Sequence, residues 1–150
     1  MKRLTLGLFV AVACLGCSDA VTGPDELTGV YAYQAMDSAG TLLLTGTLQL
    51  VVHDDSSVTG SWGIDWAPDA DTDTEVGPQV GDGTLQGRLG AEELVLDLNP
   101  GVADNNVFVA GTLVRGSTAP QLAGDWSHST LVGAVAAGRF AATRLPSAME

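Results

Sequence analysis

The densest run of potential ligand atoms in this 150-residue chain is Asp69-Ala70-Asp71-Thr72-Asp73-Thr74-Glu75. Carboxylates at alternate positions can converge on a hard cation if the loop curls, and Ca²⁺ takes roughly six to eight oxygens. The run has no Gly at its sixth position and Val80, not Glu, at its twelfth, so it is not an EF-hand loop. Left extended, Asp69, Asp71, Asp73 and Glu75 simply face water. A second constellation is His128 between Ser127 and Ser129, with Asp125 close by. Acyl transfer needs a nucleophile, a base and an orienting acid within mutual reach. On a strand, Asp125, Ser127 and Ser129 share one face while His128 points to the other. His53, beside Asp54 and Asp55, reads as part of a wet turn. Two His, with no Cys after position 17, leave little for a zinc site. No enzymatic activity and no cofactor are expected.

The aromatic residues suggest a different role. Trp62 and Trp66 share strand parity, so both face inward or both outward. With Tyr31 and Trp126, an inward pair would line a pocket for a small apolar or ring-bearing ligand. The same side chains could equally fill a barrel as core. Cys14 and Cys17 spell C-x-x-C, a spacing used in redox and metal sites. Redox thiols need a helix N-terminus or a nearby cation to lower their pKa, and this pair ends a segment of another kind.

That segment starts with basic Lys2 and Arg3, continues through an uncharged run from Leu4 to Ala13, and places Gly16 before Cys17. A basic head, a short apolar stretch and a small residue before the cut define an export signal. The run is shorter than the roughly 18 apolar residues a membrane span needs, and no later stretch approaches that length. Cys14-Leu15-Gly16-Cys17 resembles the lipobox of bacterial lipoprotein signal peptides, with Cys14 where that family usually has Leu. The resemblance implies cleavage after Gly16 and a diacylglycerol thioether on Cys17, which becomes the new N-terminus. The membrane is then a partner through N-terminal acyl chains, of which two hold stably where one does not. Ser18, in the enterobacterial sorting pattern, implies delivery to the outer membrane, with the domain facing periplasm or surface. An ordinary cleaved signal is the alternative.

The expected organisation is a signal peptide at 1–16, an acylated tether at 17–26, a folded domain at 27–146 and a tail at 147–150. Fully extended, the tether reaches roughly 30–35 Å. The whole chain carries 6 Lys+Arg against 18 Asp+Glu. Without Lys2 and Arg3 the formal charge falls from −12 to −14, and four Arg remain. So acidic a surface excludes nucleic acid, whose phosphates reward clustered Lys and Arg, and it disfavours anionic lipid. At 45% hydrophobic residues the chain has material for a core and is no disordered acidic tail. No Cys follows position 17, so packing and backbone pairing must hold the domain without an internal disulfide.

Beyond the tether the apolar period is two. Leu48, Leu50 and Val52 alternate with Thr47, Gln49 and Val51, and Leu94, Leu96 and Leu98 with Glu93, Val95 and Asp97. Such alternation, punctuated by Gly, Asp, Asn and Pro, marks half-buried antiparallel strands. Eight are expected, near 27–35, 41–53, 57–66, 79–89, 92–98, 106–115, 121–130 and 136–144. Turns fall at Asp37–Gly40, His53–Ser57, Asn99–Asn105 and Arg115–Pro120. A triplet of Gly, any residue, then an aromatic or Leu recurs, as in Gly60-Ser61-Trp62, Gly124-Asp125-Trp126 and Gly138-Arg139-Phe140. Glycines in strands mark bends or close approaches, as curved barrel walls require. The fold class is all-β, an eight-stranded antiparallel up-and-down barrel, which removes sheet edges by closing. A two-layer β-sandwich is the alternative. An outer-membrane barrel would need aromatic girdles, and only seven aromatics follow the signal.

Leu27-Thr28-Gly29-Val30-Tyr31, Val58-Thr59-Gly60-Ser61-Trp62 and Trp126-Ser127-His128-Ser129-Thr130-Leu131-Val132-Gly133 resemble the first, third and penultimate strands of avidin-type barrels and, more loosely, of lipocalins. The resemblance implies the architecture. It does not extend to the residues that contact biotin in that family. Tyr33 stands where the family uses a polar contact, Ile64 replaces a hydroxyl, and Ala134-Val135 stand where an Asp would bind the ureido ring. The functional expectation is a lipid-anchored, non-enzymatic envelope module that binds a small apolar ligand. The alternative is a structural or protein-interaction lipoprotein with a filled barrel, whose loops meet another envelope protein.

Overall fold

The computed structural model describes residues 27–114 and 121–146. The lipidation site Cys17, the signal, the tether, the expected turn at 115–120 and the tail at 147–150 lie outside them. The elements are β1 (Gly29–Met36), β2 (Leu42–Val52), β3 (Ser57–Trp66), β4 (Gly81–Leu89), β5 (Glu93–Asp97), β6 (Asn105–Leu113), β7 (Gln121–Thr130) and β8 (Gly133–Arg144). They pair antiparallel in chain order, and β8 returns to β1 to close the barrel. Every strand predicted from the period-two pattern is present, in the predicted up-and-down order. Two starts differ. β4 begins at Gly81 because Gln79 leaves the wall, and β8 begins at Gly133 because only Leu131 and Val132 separate it from β7. No helix among the described residues is long and apolar enough to cross a membrane.

Alternation puts one apolar set inside. Tyr31, Tyr33, Leu44, Leu48, Leu50, Ile64 and Trp126 are each less than 2% exposed. The outer wall carries residues such as Thr59, Ser61, Gln86, Arg88 and Asp125, a water-facing surface and the reverse of a lipid-facing one.

The recurring glycine triplet now has a packing reason. Gly and the residue two positions on both face inward, and the register sets a glycine opposite a ring. Trp62 pairs with Gly83, and Trp126 with Gly138. A Cβ on Gly83 would lie 2.7 Å from the Trp62 indole, and one on Gly138 would lie 2.6 Å from Trp126 Nε1. The small barrel accommodates large rings because its neighbouring strands present hydrogen atoms to them.

The two ends differ. One, here termed the mouth, gathers the β1–β2, β3–β4, β5–β6 and β7–β8 connections. The other, the base, gathers the β2–β3 and β4–β5 turns, the entry to β1 and the end of β8.

Candidate functional site: the barrel mouth

The longest described connection, residues 67–80 between β3 and β4, folds over the mouth. Its first half is local. Ala70 N bonds Ala67 O, Thr74 N bonds Asp71 O, and Asp73 N bonds Asp71 Oδ1 at 3.1 Å. Its second half enters the barrel. Val76 is buried and joins the hydrophobic core, and Gln79 is wholly buried at 0% exposure. Between them, Gly77 has φ +69, and a Cβ there would lie 2.5 Å from His128 Cγ. Only glycine meets both demands, a left-handed backbone and contact with the face of an imidazole.

Polar side chains converge beneath this cover. Tyr33 Oη donates to Gln79 Oε1 at 3.4 Å, and Gln79 Nε2 donates to Val76 O at 2.6 Å. Burial pushes the Tyr33 phenol well above its ordinary pKa, and its ring stacks on Phe140 with centroids 6.0 Å apart. His128 Nε2 is 2.6 Å from Asn105 Oδ1, and its Nδ1 lies 3.1 Å from Glu75 Oε1 without completing a hydrogen bond. Asn99 Nδ2 holds Pro78 O at 2.8 Å. Asn99 is itself braced through its backbone, whose N–H donates to Asp97 Oδ1 at 2.9 Å and whose carbonyl accepts from Asn106 Nδ2 at 3.2 Å. Its Oδ1 is nevertheless buried with no partner.

The residues singled out in the sequence are distributed unevenly around this site. Trp62 Nε1 donates to Leu98 O at 2.6 Å, just past the mouth end of β5, and Trp126 Nε1 to Met36 O at 2.9 Å, at the mouth end of β1. Trp66, at the mouth end of β3, is half-buried against the same core. Tyr31 turns the other way, its Oη bonding Leu27 O at 2.9 Å near the base. Trp62 and Trp126 are thus both core and the wall beneath the mouth. The acidic run is not gathered. Glu75 turns to Gly77 N and His128, while Asp71 caps its own turn. Among the described residues no group of three or more His, Cys, Asp or Glu could hold a metal ion. His128 points inward while Asp125 is exposed on the outer wall, as strand parity requires. A cavity of about 320 Å³ lies outside the barrel, an open depression over β8, β1 and β2 bordered by Ala32, Gln34, Thr45, Ala141 and Thr143.

Sequence reasoning missed Val76, Gln79, Asn99 and Asn105. The available signal was Gly77-Pro78 inside a long connection, which marks a forced backbone path.

The barrel is similar to rhizavidin. The match to its crystal structure has a TM-score of 0.52 at 14% identity, covering 81% of this chain and 85% of that one. A crystal structure of the rhizavidin–biotin complex matches with a TM-score of 0.49 at 13% identity, covering 81% of this chain and 97% of the other. At such identity the likeness establishes the fold, and it agrees with the avidin-type architecture expected from the strand motifs. No protein-family model and no curated protein matches the sequence.

Proposed function

We propose that the chain is a non-enzymatic binding module, exported and held to the envelope through acylated Cys17, whose ligand site is the mouth beneath the β3–β4 connection. The observation that carries this reading is the convergence of buried polar side chains there, Tyr33, Gln79 and His128. A few convergent polar groups beside an apolar floor are what a small-molecule site requires. They lie beneath a cover whose inner half is attached by side chains. A ligand that lifts it would place an apolar body where Val76 now sits and a polar group within reach of Tyr33 Oη. The test is Trp emission during titration with a panel of small lipophilic ligands, since Trp62, Trp66 and Trp126 all border the mouth. A saturable change with at least one ligand is expected, and silence across the panel overturns the reading. Intact mass of the membrane-extracted protein, and fractionation of Cys17→Ser, test the anchor separately.

A second reading, a structural or interaction lipoprotein, draws on the filled interior and on Leu131 and Val132. These stand 81% and 89% exposed at the tip of the β7–β8 hairpin. Apolar tips of this kind suit contact with another envelope protein.

A further inference from the structure

The outer wall is not the same all the way round. On β2, β3 and β4 it is polar: Gln49, Ser61 and Thr84 stand in one cross-strand row, and Thr59 and Gln86 in the next. On β6, β7, β8 and β1 the corresponding rows are largely apolar, and Phe108 on β6 is 38% exposed. Contiguous apolar positions on an outer face mark an interaction surface. The charges on this face say what it meets. Its four strands hold Asp125, Arg139 and Arg144 as their only Asp, Glu, Lys or Arg, in a chain of formal charge −12. Two copies of so acidic a protein repel one another over most of their surface, but not here. Asp125 and Arg139 stand directly opposite across the β7–β8 ladder, both exposed. Neither makes an ion pair or a side-chain hydrogen bond among the described residues. The row continues to Ala110 on β6 and Met36 on β1. A two-fold axis along the groove between β7 and β8 sets Asp125 of one copy over Arg139 of the other, and Ala110 over Met36. The neighbouring row, Thr112, Ala123, Ala141 and Gln34, then sets Ala on Ala and Thr on Gln. Self-complementarity of this kind is what an isologous contact requires. Four strands about 4.8 Å apart and about 33 Å long offer roughly 600 Å² per copy. About 1,200 Å² in total is the lower end of stable interfaces.

We infer that the outer wall of β6, β7, β8 and β1 is an isologous interface between two copies of this chain. The contact uses neither the mouth nor the tether and leaves both free.

The experiment is sedimentation velocity of the full chain in density-matched detergent, with charges reversed across the contact. Wild type should sediment as a two-copy species at about 100 μM, within the range that small interfaces reach. Arg139→Asp leaves only acids at the paired positions and Asp125→Arg only guanidiniums. Each should raise the dissociation constant at least about tenfold, since like charges are then juxtaposed. Mixed in equal amounts, the two variants should associate with each other at close to the wild-type constant, because acids on one copy face guanidiniums on the other. Arg88→Asp makes the same change of net charge as Arg139→Asp but on the β4 wall, and should leave association unmoved. A monomeric wild type, reversals without effect, a loss matched by Arg88→Asp, or a mixture that stays apart overturns the inference. If a single reversal does not fold, the double variant Asp125→Arg with Arg139→Asp restores the facing pair and should associate like wild type. A folded double variant that stays monomeric overturns it.

Discussion

The two ends of the barrel are closed by different means. At the base, backbone bonds extend the wall, Leu89 N to Ser56 O at 2.9 Å and Leu145 N to Val30 O at 2.7 Å, as Ala67 N to Leu43 O and Leu98 N to Val107 O do at the mouth, but no connection folds inward over them. Side chains there answer backbone groups at short range, Tyr31 Oη to Leu27 O at 2.9 Å and Thr28 Oγ1 from Val52 N at 3.0 Å. At the mouth, the inner half of the cover meets the barrel through side chains. These are Gln79 on Tyr33, Asn99 on Pro78 and Glu75 beside His128. The two buried side-chain polar atoms without a hydrogen bond among the described residues, Asn99 Oδ1 and His128 Nδ1, belong to this end, the second facing the Glu75 carboxylate at 3.1 Å. Backbone pairing is costly to exchange, whereas side-chain contacts can be traded for a ligand's own groups. The contrast separates the end that holds the fold from the end that can open.

The largest expected effect tests the base. Leu27 is 3% exposed and lies in the core cluster where the chain enters β1. Leu27→Ala should cost about 2–5 kcal/mol, as large-to-small core changes do, read as a lower midpoint in urea at unchanged slope. A neutral result would mean that the base opens as readily as the mouth, and the comparison would fail.

The next effect uses two tyrosines on one strand. Burial raises the pKa of both phenols, and at Tyr31 the Arg144 charge offsets part of the rise. A raised folded-state pKa means that the neutral phenol stabilises the fold below the unfolded value of about 10, and that this contribution is lost as pH climbs through the folded value. Both therefore feed the alkaline limb of unfolding, Tyr33 more than Tyr31. Tyr33→Phe should extend stability further into alkali than Tyr31→Phe. At neutral pH the order reverses. Tyr31→Phe gives up a 2.9 Å bond to a backbone carbonyl, about 1 kcal/mol, and Tyr33→Phe gives up only the 3.4 Å contact with Gln79. Urea midpoints at pH 7 and above pH 10 check both statements.

The same contrast explains what the sequence made legible. The wall follows from a local rule, period-two alternation, so Leu44, Leu48 and Leu50 could be assigned inward one strand at a time. Strand parity likewise turned His128 away from Asp125. The mouth obeys no period. Gln79 was read as the start of a strand because its neighbours suit one, but at Gly77 the backbone takes φ +69 and carries the next residues off the wall. Parity gives the direction of His128 and not its company: Asn105 and Glu75 come from other parts of the chain, and a barrel must close before they meet. The four acids of the β3–β4 connection look like one set because they are spaced alike. Only folding separates Glu75, at the rim of the site, from Asp69, Asp71 and Asp73 in water.

That separation gives the smallest expected effect. Changing Asp69, Asp71 and Asp73 together to Asn removes three charges. Asn at position 71 can keep the Oδ1 acceptor that now takes the N–H of residue 73 at 3.1 Å. All three side chains are exposed, and surface changes of this kind usually stay within about 0.5 kcal/mol. If the outer half of the cover is only a solvated arm, the triple variant should melt with wild type, and millimolar calcium should shift neither. A loss above about 1 kcal/mol, well outside that range, or a calcium-dependent rise confined to wild type, would show a cation gathering carboxylates that the structure leaves apart. The mouth would then have a second lock, and the inner half of the connection would no longer be what keeps it shut.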